Sequence, residues 1–206
     1  MKRRLLVATR NAGKVVEFAD MLAALEVSWL SLDDVGITAE VAETGSSFLA
    51  NAALKARAYA TMTGLLTLAD DSGLEVDALD GAPGIYTARY GGPGLTPIQR
   101  YQHLLSQMNE VPWAQRSARF RCVIAISVKG EGLLASAEGV CEGMIATEPS
   151  GSGGFGYDPI FFLPALRQTM AELPARKKHT ISHRGRALQA IEPVLRKILG
   201  ENEGDI

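Results

Sequence analysis

Leu5, Leu6, Val7 and Ala8 form an uninterrupted apolar run, which predicts a short buried strand. The polar segment Thr9-Arg10-Asn11-Ala12-Gly13-Lys14 follows, and then Val15, Phe18, Leu22 and Leu25 recur at helical spacing. Strand, polar turn and helix in that order place backbone N–H groups and the positive end of a helix beside the turn. A second helix is expected from Ser47 to about Met62. Leu65 to Ala69 reads as a strand ending in Asp70-Asp71-Ser72-Gly73, with Leu74 to Leu79 beyond it. Gly81-Ala82-Pro83-Gly84 and Gly91 to Gly94 are turns, and Thr96 to Met108 carries a weaker helical pattern.

Residues 117–128 alternate, with Ala118, Phe120, Cys122, Ile124, Ile126 and Val128 on one face and Arg119 and Arg121 on the other. A turn at Gly130-Glu131-Gly132 returns the chain into Leu133 to Ile145, so a long hairpin is expected. Gly151 to Gly156 is a glycine-rich loop. Ser182 opens a final helix with apolar Leu188, Ile191, Leu195 and Leu199, which Pro193 should kink or divide. There is no internal repeat, low-complexity tract or clear linker. The expected fold is α/β with a mixed sheet, one domain over residues 1–206 or two interlocked lobes.

Composition adds limits rather than detail. Hydrophobic residues make up 47% and charged residues 21% of 206, as in ordinary globular chains. A net charge of −2 argues against a general nucleic-acid surface, which needs a basic excess to displace counterions. The start, Met1-Lys2-Arg3-Arg4, is basic, but the apolar run after it is too short for a signal peptide, and no segment has the length of a membrane span. Cys122 and Cys141 are far apart and form no ligand pattern, as expected of buried thiols in a reducing compartment. A cytoplasmic location is expected.

Six segments hold candidate chemistry. Thr9 to Lys14 is not a P-loop, but it offers a hydroxyl, an amide, a lysine and a helix N-terminus; it suits a phosphate, or it is a capped helix with an exposed lysine. In Asp70-Asp71 two adjacent carboxylates resist burial, so they need a cation or hydrogen bonds unless they lie in a solvated turn. Side chains alternate along a strand, so only one of the pair need enter a given site. Glu40 and Glu43 could join Asp71 around Mg²⁺ as hard oxygen ligands, or be surface acids. Lys55 falls on a helical stripe with Phe48, Ala52 and Tyr59, where it must snorkel out or meet an anion. In Gly151 to Pro159 the glycines permit close approach to a ligand, Phe155 can stack on a base and Asp158 can accept from a base N–H; the alternative is a hairpin loop with core aromatics. In Lys177 to Arg184, Ser182 can cap a helix, and His183 and Arg184 in its first turn oppose the helix dipole, which suggests a ligand; a solvated basic run is the competing reading.

Together the segments resemble the inosine triphosphate pyrophosphatase family of non-standard purine nucleoside triphosphate pyrophosphatases. The matching stretches are Thr9-x-Asn11-x-x-Lys14, Glu43-Thr44-Gly45-x-x-Phe48-x-x-Asn51-Ala52-x-x-Lys55-Ala56 and Ala69-Asp70-Asp71-Ser72-Gly73-Leu74. Then come Gly81-Ala82-Pro83-Gly84-Ile85-Tyr86-x-Ala88-Arg89-Tyr90, Gly153 to Phe161, and Ile181-Ser182-His183-Arg184-Gly185. The resemblance implies an elongated α/β fold with a substrate cleft between two lobes, a Mg²⁺ requirement, a homodimer, and hydrolysis of ITP, dITP and XTP to the monophosphate and pyrophosphate. Carried over by position, Thr9, Arg10, Asn11, Ala12, Gly13 and Lys14 would hold the triphosphate. Asp71 would be catalytic base and metal ligand, with Glu40 the second ligand. Lys55, Ser72, Phe155, Gly156, Tyr157, Asp158, Lys178, His183 and Arg184 would contact substrate. Lys177, His179 and Ala42 depart from the family pattern, which bears on the metal count and the charge around the phosphates. Two rival readings are a pyrophosphatase for pyrimidine or modified nucleotides and a non-catalytic nucleotide sensor.

Overall fold

A computed structural model describes residues 3–23, 25 and 27–200. The first two residues of the basic start, Met1 and Lys2, lie outside them. The apolar run forms β1 (Arg3–Val7), and the helix after the polar turn is α1 (Ala12–Leu22). Next come β2 (Val27–Leu30) and α2 (Phe48–Thr63). The Ser47 hydroxyl caps α2 by accepting from Ala50 N–H at 3.1 Å, and Gly64 ends it at φ 72°, a left-handed conformation that glycine adopts without strain.

β3 spans Leu66–Val76, so the strand does not end at Asp70-Asp71 as expected but runs through Asp70-Asp71-Ser72-Gly73. The expected hairpin is present as β4 (Ser117–Val128) and β5 (Gly132–Ile145), with α3 (Pro97–Gln107) before it. Two short strands, β6 (Phe161–Leu163) and β7 (Gln168–Thr169), complete a seven-stranded sheet of order β2-β1-β3-β4-β5-β6-β7. β1 pairs in parallel with β2 and β3, whereas β6 pairs antiparallel with β5 and β7, so the sheet is mixed, as expected.

The basic run before the final helix is itself helical, as α4 (Ala175–Ile181). The final helix, α5 (His183–Leu199), continues through Pro193 as one element and is not divided.

The chain separates into two compact units. The first holds residues 1–71, 122–139 and 184–206, and the second residues 72–121 and 140–183. Each has its own apolar core. In the first, Leu5, Val7, Phe18, Leu68, Ile124, Ile191 and Leu195 pack together, joining α1 and α5 to the sheet. In the second, Leu74, Leu104, Phe120, Ile145, Tyr157, Phe161 and Met170 do the same. Among the described residues no helix is long and apolar enough to cross a membrane.

Candidate active site

In the first unit, the turn after β1 is held by its own side chains. Asn11 N–H donates to Thr9 Oγ1 at 3.2 Å, and Asn11 Oδ1 accepts from Lys14 N–H at 3.2 Å, capping α1. Ala12 and Gly13 form the first turn of that helix, while Arg10 reaches away, to Asp33 Oδ1 at 3.4 Å and to the carbonyls of Ile37 and Ala39. Arg10 thus clasps a neighbouring loop, whereas Lys14 turns towards β3.

The alternation of β3 sends its two carboxylates to different partners. Asp70 Oδ2 meets Lys14 Nζ at 2.8 Å and Arg184 Nη2 at 3.4 Å, and Arg184 also donates to Glu17 on α1. Arg184 is 1% exposed, so a fully desolvated guanidinium is held by two carboxylates. Burial favours a protonated Asp70, but Lys14, Arg184 and Lys55 outweigh it and hold the carboxyl below its ordinary range. Cys122 Sγ lies 3.7 Å from the same Asp70 oxygen, and burial pushes that thiol well above its usual range.

Asp71 faces α2. Asn51 and Lys55 lie one turn apart on that helix and therefore share a face. Asn51 Nδ2 donates to Asp71 Oδ2 at 3.0 Å. Lys55 Nζ lies 2.5 Å from Glu43 Oε1 and 3.7 Å from Asp71 Oδ1, so the lysine on the apolar stripe does meet anions. Burial raises the Asp71 carboxyl above its ordinary range and Glu43 adds to this; Lys55 and the Asn51 amide oppose it without prevailing. The result is a buried carboxylate with enhanced affinity for a proton.

The acids offer hard oxygen donors. Glu43 and Asp71 share one ammonium, so the site already accommodates a positive charge between two carboxylates. Glu40 is exposed and, among the described residues, has no hydrogen-bond or ion-pair partner. Glu43 is therefore the acid grouped with Asp71. Among the described residues no three Asp, Glu, His or Cys are gathered for a metal, but an ion held by one or two carboxylates plus substrate phosphates needs no such cage.

In the second unit, Gly154 has φ 69°, and a Cβ there would lie 2.0 Å from Asp158 Oδ2. That oxygen accepts from Phe155 N–H at 2.8 Å and from Lys178 Nζ at 2.6 Å, and Lys178 Nζ sits 4.9 Å from the centre of the Phe155 ring. Lys178 on α4 is 5% exposed, so the basic run is not simply a solvated one. His183 stacks on Phe120, with centroids 4.7 Å apart and planes at 16°. Gly156 has φ 62°, and Ser72 is half-buried on β3. Tyr157 belongs to the core: it is buried and its hydroxyl donates to Thr87 O at 3.1 Å.

The residues named from sequence therefore form two groups, each within its own unit. Lys14, Lys55, Asp71 and Arg184 belong to the first, and Phe155, Asp158, Lys178 and His183 to the second. Three neighbours were not singled out as site residues. Asn51 and Glu17 are polar residues buried at helical spacing from Lys55 and Lys14, a detectable signal; Phe120 looks like any inward residue of an alternating strand.

A profile of the Ham1 family matches residues 5–194. The chain belongs to the Ham1 family. Among Ham1 relatives, the dITP/XTP pyrophosphatase of Desulforamulus reducens is 48% identical over 195 residues, covering 95% of this chain and 96% of its own. The protein of the same name from Geobacter sulfurreducens is 49% identical over 189 residues, covering 92% and 94%. A solved HAM1 structure from Coxiella burnetii superposes with a TM-score of 0.85 at 41% identity, covering 95% of this chain and 99% of that one. The family resemblance read from the sequence motifs is borne out, and so is the mixed α/β fold.

Proposed function

We propose that the chain hydrolyses non-standard purine nucleoside triphosphates (ITP, dITP and XTP) to the monophosphate and pyrophosphate. The carrying observation is Asp71, a buried carboxylate with raised proton affinity, held by Asn51 and flanked by Lys55 and Glu43. Its family relatives, named dITP/XTP pyrophosphatases, point the same way.

The chemistry follows from charge. The negative charge that builds on the attacking water oxygen is opposed by the anionic triphosphate until that charge is neutralised, and Lys14 and Lys55 bring two ammonium groups to the acids of β3. Asp71 takes a proton from the attacking water. The water oxygen bonds to the α-phosphorus, the bond to the bridging oxygen breaks, and that oxygen leaves with the electron pair as pyrophosphate. Mg²⁺ is the divalent cation in this reading; Glu43 and Asp71 would hold it, and when bound it supplies further neutralisation of phosphate charge.

Base choice rests on donor chemistry. Hypoxanthine and xanthine present a 6-oxo acceptor where adenine presents an amino donor. Arg184 has only donors, and its carboxylate contacts fix the direction of its fork. In the second unit, Phe155 offers an aromatic face and Asp158 an acceptor. The reading includes a homodimer in the cytoplasm acting on free nucleotides, with no nucleic-acid partner; light scattering at the mass of two chains checks the dimer.

The testing experiment is pyrophosphate release from ITP, XTP, GTP, ATP and UTP, with Mg²⁺ and with excess EDTA. Fast, Mg²⁺-dependent turnover of ITP and XTP supports the reading. Equal turnover of all five discards the role of Arg184 in base choice, and release from none discards the enzyme.

A further inference from the structure

A buried primary amide must find both donors and acceptors or it destabilises the fold. Asn51 is fully buried and finds both. Its Oδ1 accepts from Gly45 N–H at 2.8 Å, and its Nδ2 donates to Asp71 Oδ2 at 3.0 Å. The partners dictate the amide's orientation. A backbone N–H can only donate, so the oxygen faces Gly45 and the NH₂ group faces the carboxylate. Gly45 makes the approach possible, because a Cβ there would lie 2.7 Å from both Asn51 Oδ1 and Ala50 Cβ.

We propose that Asn51 is the positioning residue for the Asp71 carboxylate. Holding one oxygen fixes the rotation of the group, and with it the direction of Oδ1, which lies 3.7 Å from Lys55 Nζ. The same side chain anchors Gly45, two residues beyond Glu43, and so sets where the segment carrying Glu43 lies relative to Asp71. One amide thus orders both carboxylates that share Lys55. Asn51 touches no reacting atom and acts through Asp71, so the inference rests on Asp71 being the base of a pyrophosphatase.

The test is Asn51→Asp, which is nearly isosteric and keeps an acceptor for Gly45 but replaces the donor facing Asp71 with a second acceptor. On ITP with Mg²⁺, kcat should fall about 10–100-fold, as for other supporting hydrogen-bond partners, while KM changes by less than about threefold. The exchange variant Asn51→Asp/Asp71→Asn reverses donor and acceptor. It should recover the melting temperature lost in Asn51→Asp without recovering turnover, a pattern that a merely space-filling asparagine does not produce. If Asn51→Asp fails to fold, Asn51→Ser, too short to reach Asp71, should show the same loss in kcat. Wild-type protein that releases pyrophosphate while either folded variant keeps its kcat overturns the positioning role alone. Wild-type protein that releases none overturns the pyrophosphatase reading beneath it.

Discussion

Asp71 and Arg184 are both buried and charged, but their surroundings ask different things of them. Asp71 is held where its proton affinity rises, which suits a group that must accept a proton from water. Asp71→Asn keeps the shape and loses the base, so kcat on ITP should drop by at least about a hundredfold, the low end for a general base. A rate close to wild type would remove Asp71 from that role. Arg184 instead is paired with the buried carboxylates of Glu17 and Asp70. Arg184→Ala leaves two buried carboxylates short of a partner, and breaking such a pair costs about 3–5 kcal/mol. Urea unfolding measures it; a loss within the about 0–1 kcal/mol of an exposed ion pair would contradict the buried geometry. Base choice is therefore better probed with Arg184→Lys, which keeps the charge and tests the fork.

At the level of elements, the glycine loop before Asp158 makes the sharpest prediction. In Gly154→Ala the new methyl would collide with Asp158 Oδ2, the atom that holds Phe155 N–H and Lys178. Displacing these groups should lower kcat/KM on ITP by about 10–100-fold, the scale of a misplaced contact. Gly156→Ala is the control. Its φ of 62° brings comparable backbone strain, but its Cβ would meet nothing within 4 Å, so kcat/KM should fall much less. Equal losses in both variants would mean that strain alone matters. Other elements show what a sequence can and cannot reveal. The period-2 alternation of residues 117–128 and the helical stripe around Lys55 were readable because each repeats over several turns or pleats. The continuation of β3 through Asp70-Asp71-Ser72-Gly73 was not, since four small or acidic residues look like a turn. What allows them into a strand is Lys14 and Lys55, supplied by elements distant in the chain. β6, β7 and α4 are too short for any period to show, so the burial of Lys178 was hidden too. Of the acids before α2, the spacing did not distinguish Glu40 from Glu43; the contact of Glu43 with Lys55 does.

For the whole molecule, a net charge of −2 conceals a concentration of opposed charges inside the first unit. Asp70 and Asp71 are neighbours in sequence, yet they should affect folding stability with opposite sign. Asp70 has its folded pKa held below the ordinary carboxylate value, so its ionised form favours folding. That contribution is complete above the unfolded value of about 3.9 and is lost as pH falls through the lower folded value. Asp71 has its folded pKa raised, so the folded state binds the proton more tightly than the unfolded chain and ionisation at neutral pH opposes folding. Lowering the pH through that raised value begins to remove the penalty, which is gone below the unfolded value. Urea unfolding of metal-free protein in EDTA, followed from neutral to acid pH, separates the two. Asp71→Asn should be at least as stable as wild type at about neutral pH, with the difference shrinking as the pH falls from the raised folded value and gone below the unfolded value of about 3.9. Asp70→Asn should be less stable at neutral pH, and its deficit should close only below that value. The catalytic substitution would then abolish turnover while stabilising the fold, as expected where a site holds a charge that its surroundings disfavour. An Asp71→Asn protein clearly less stable than wild type at neutral pH would mean that Lys55 and Asn51 outweigh burial, and that the carboxylate supports the fold as well as the chemistry.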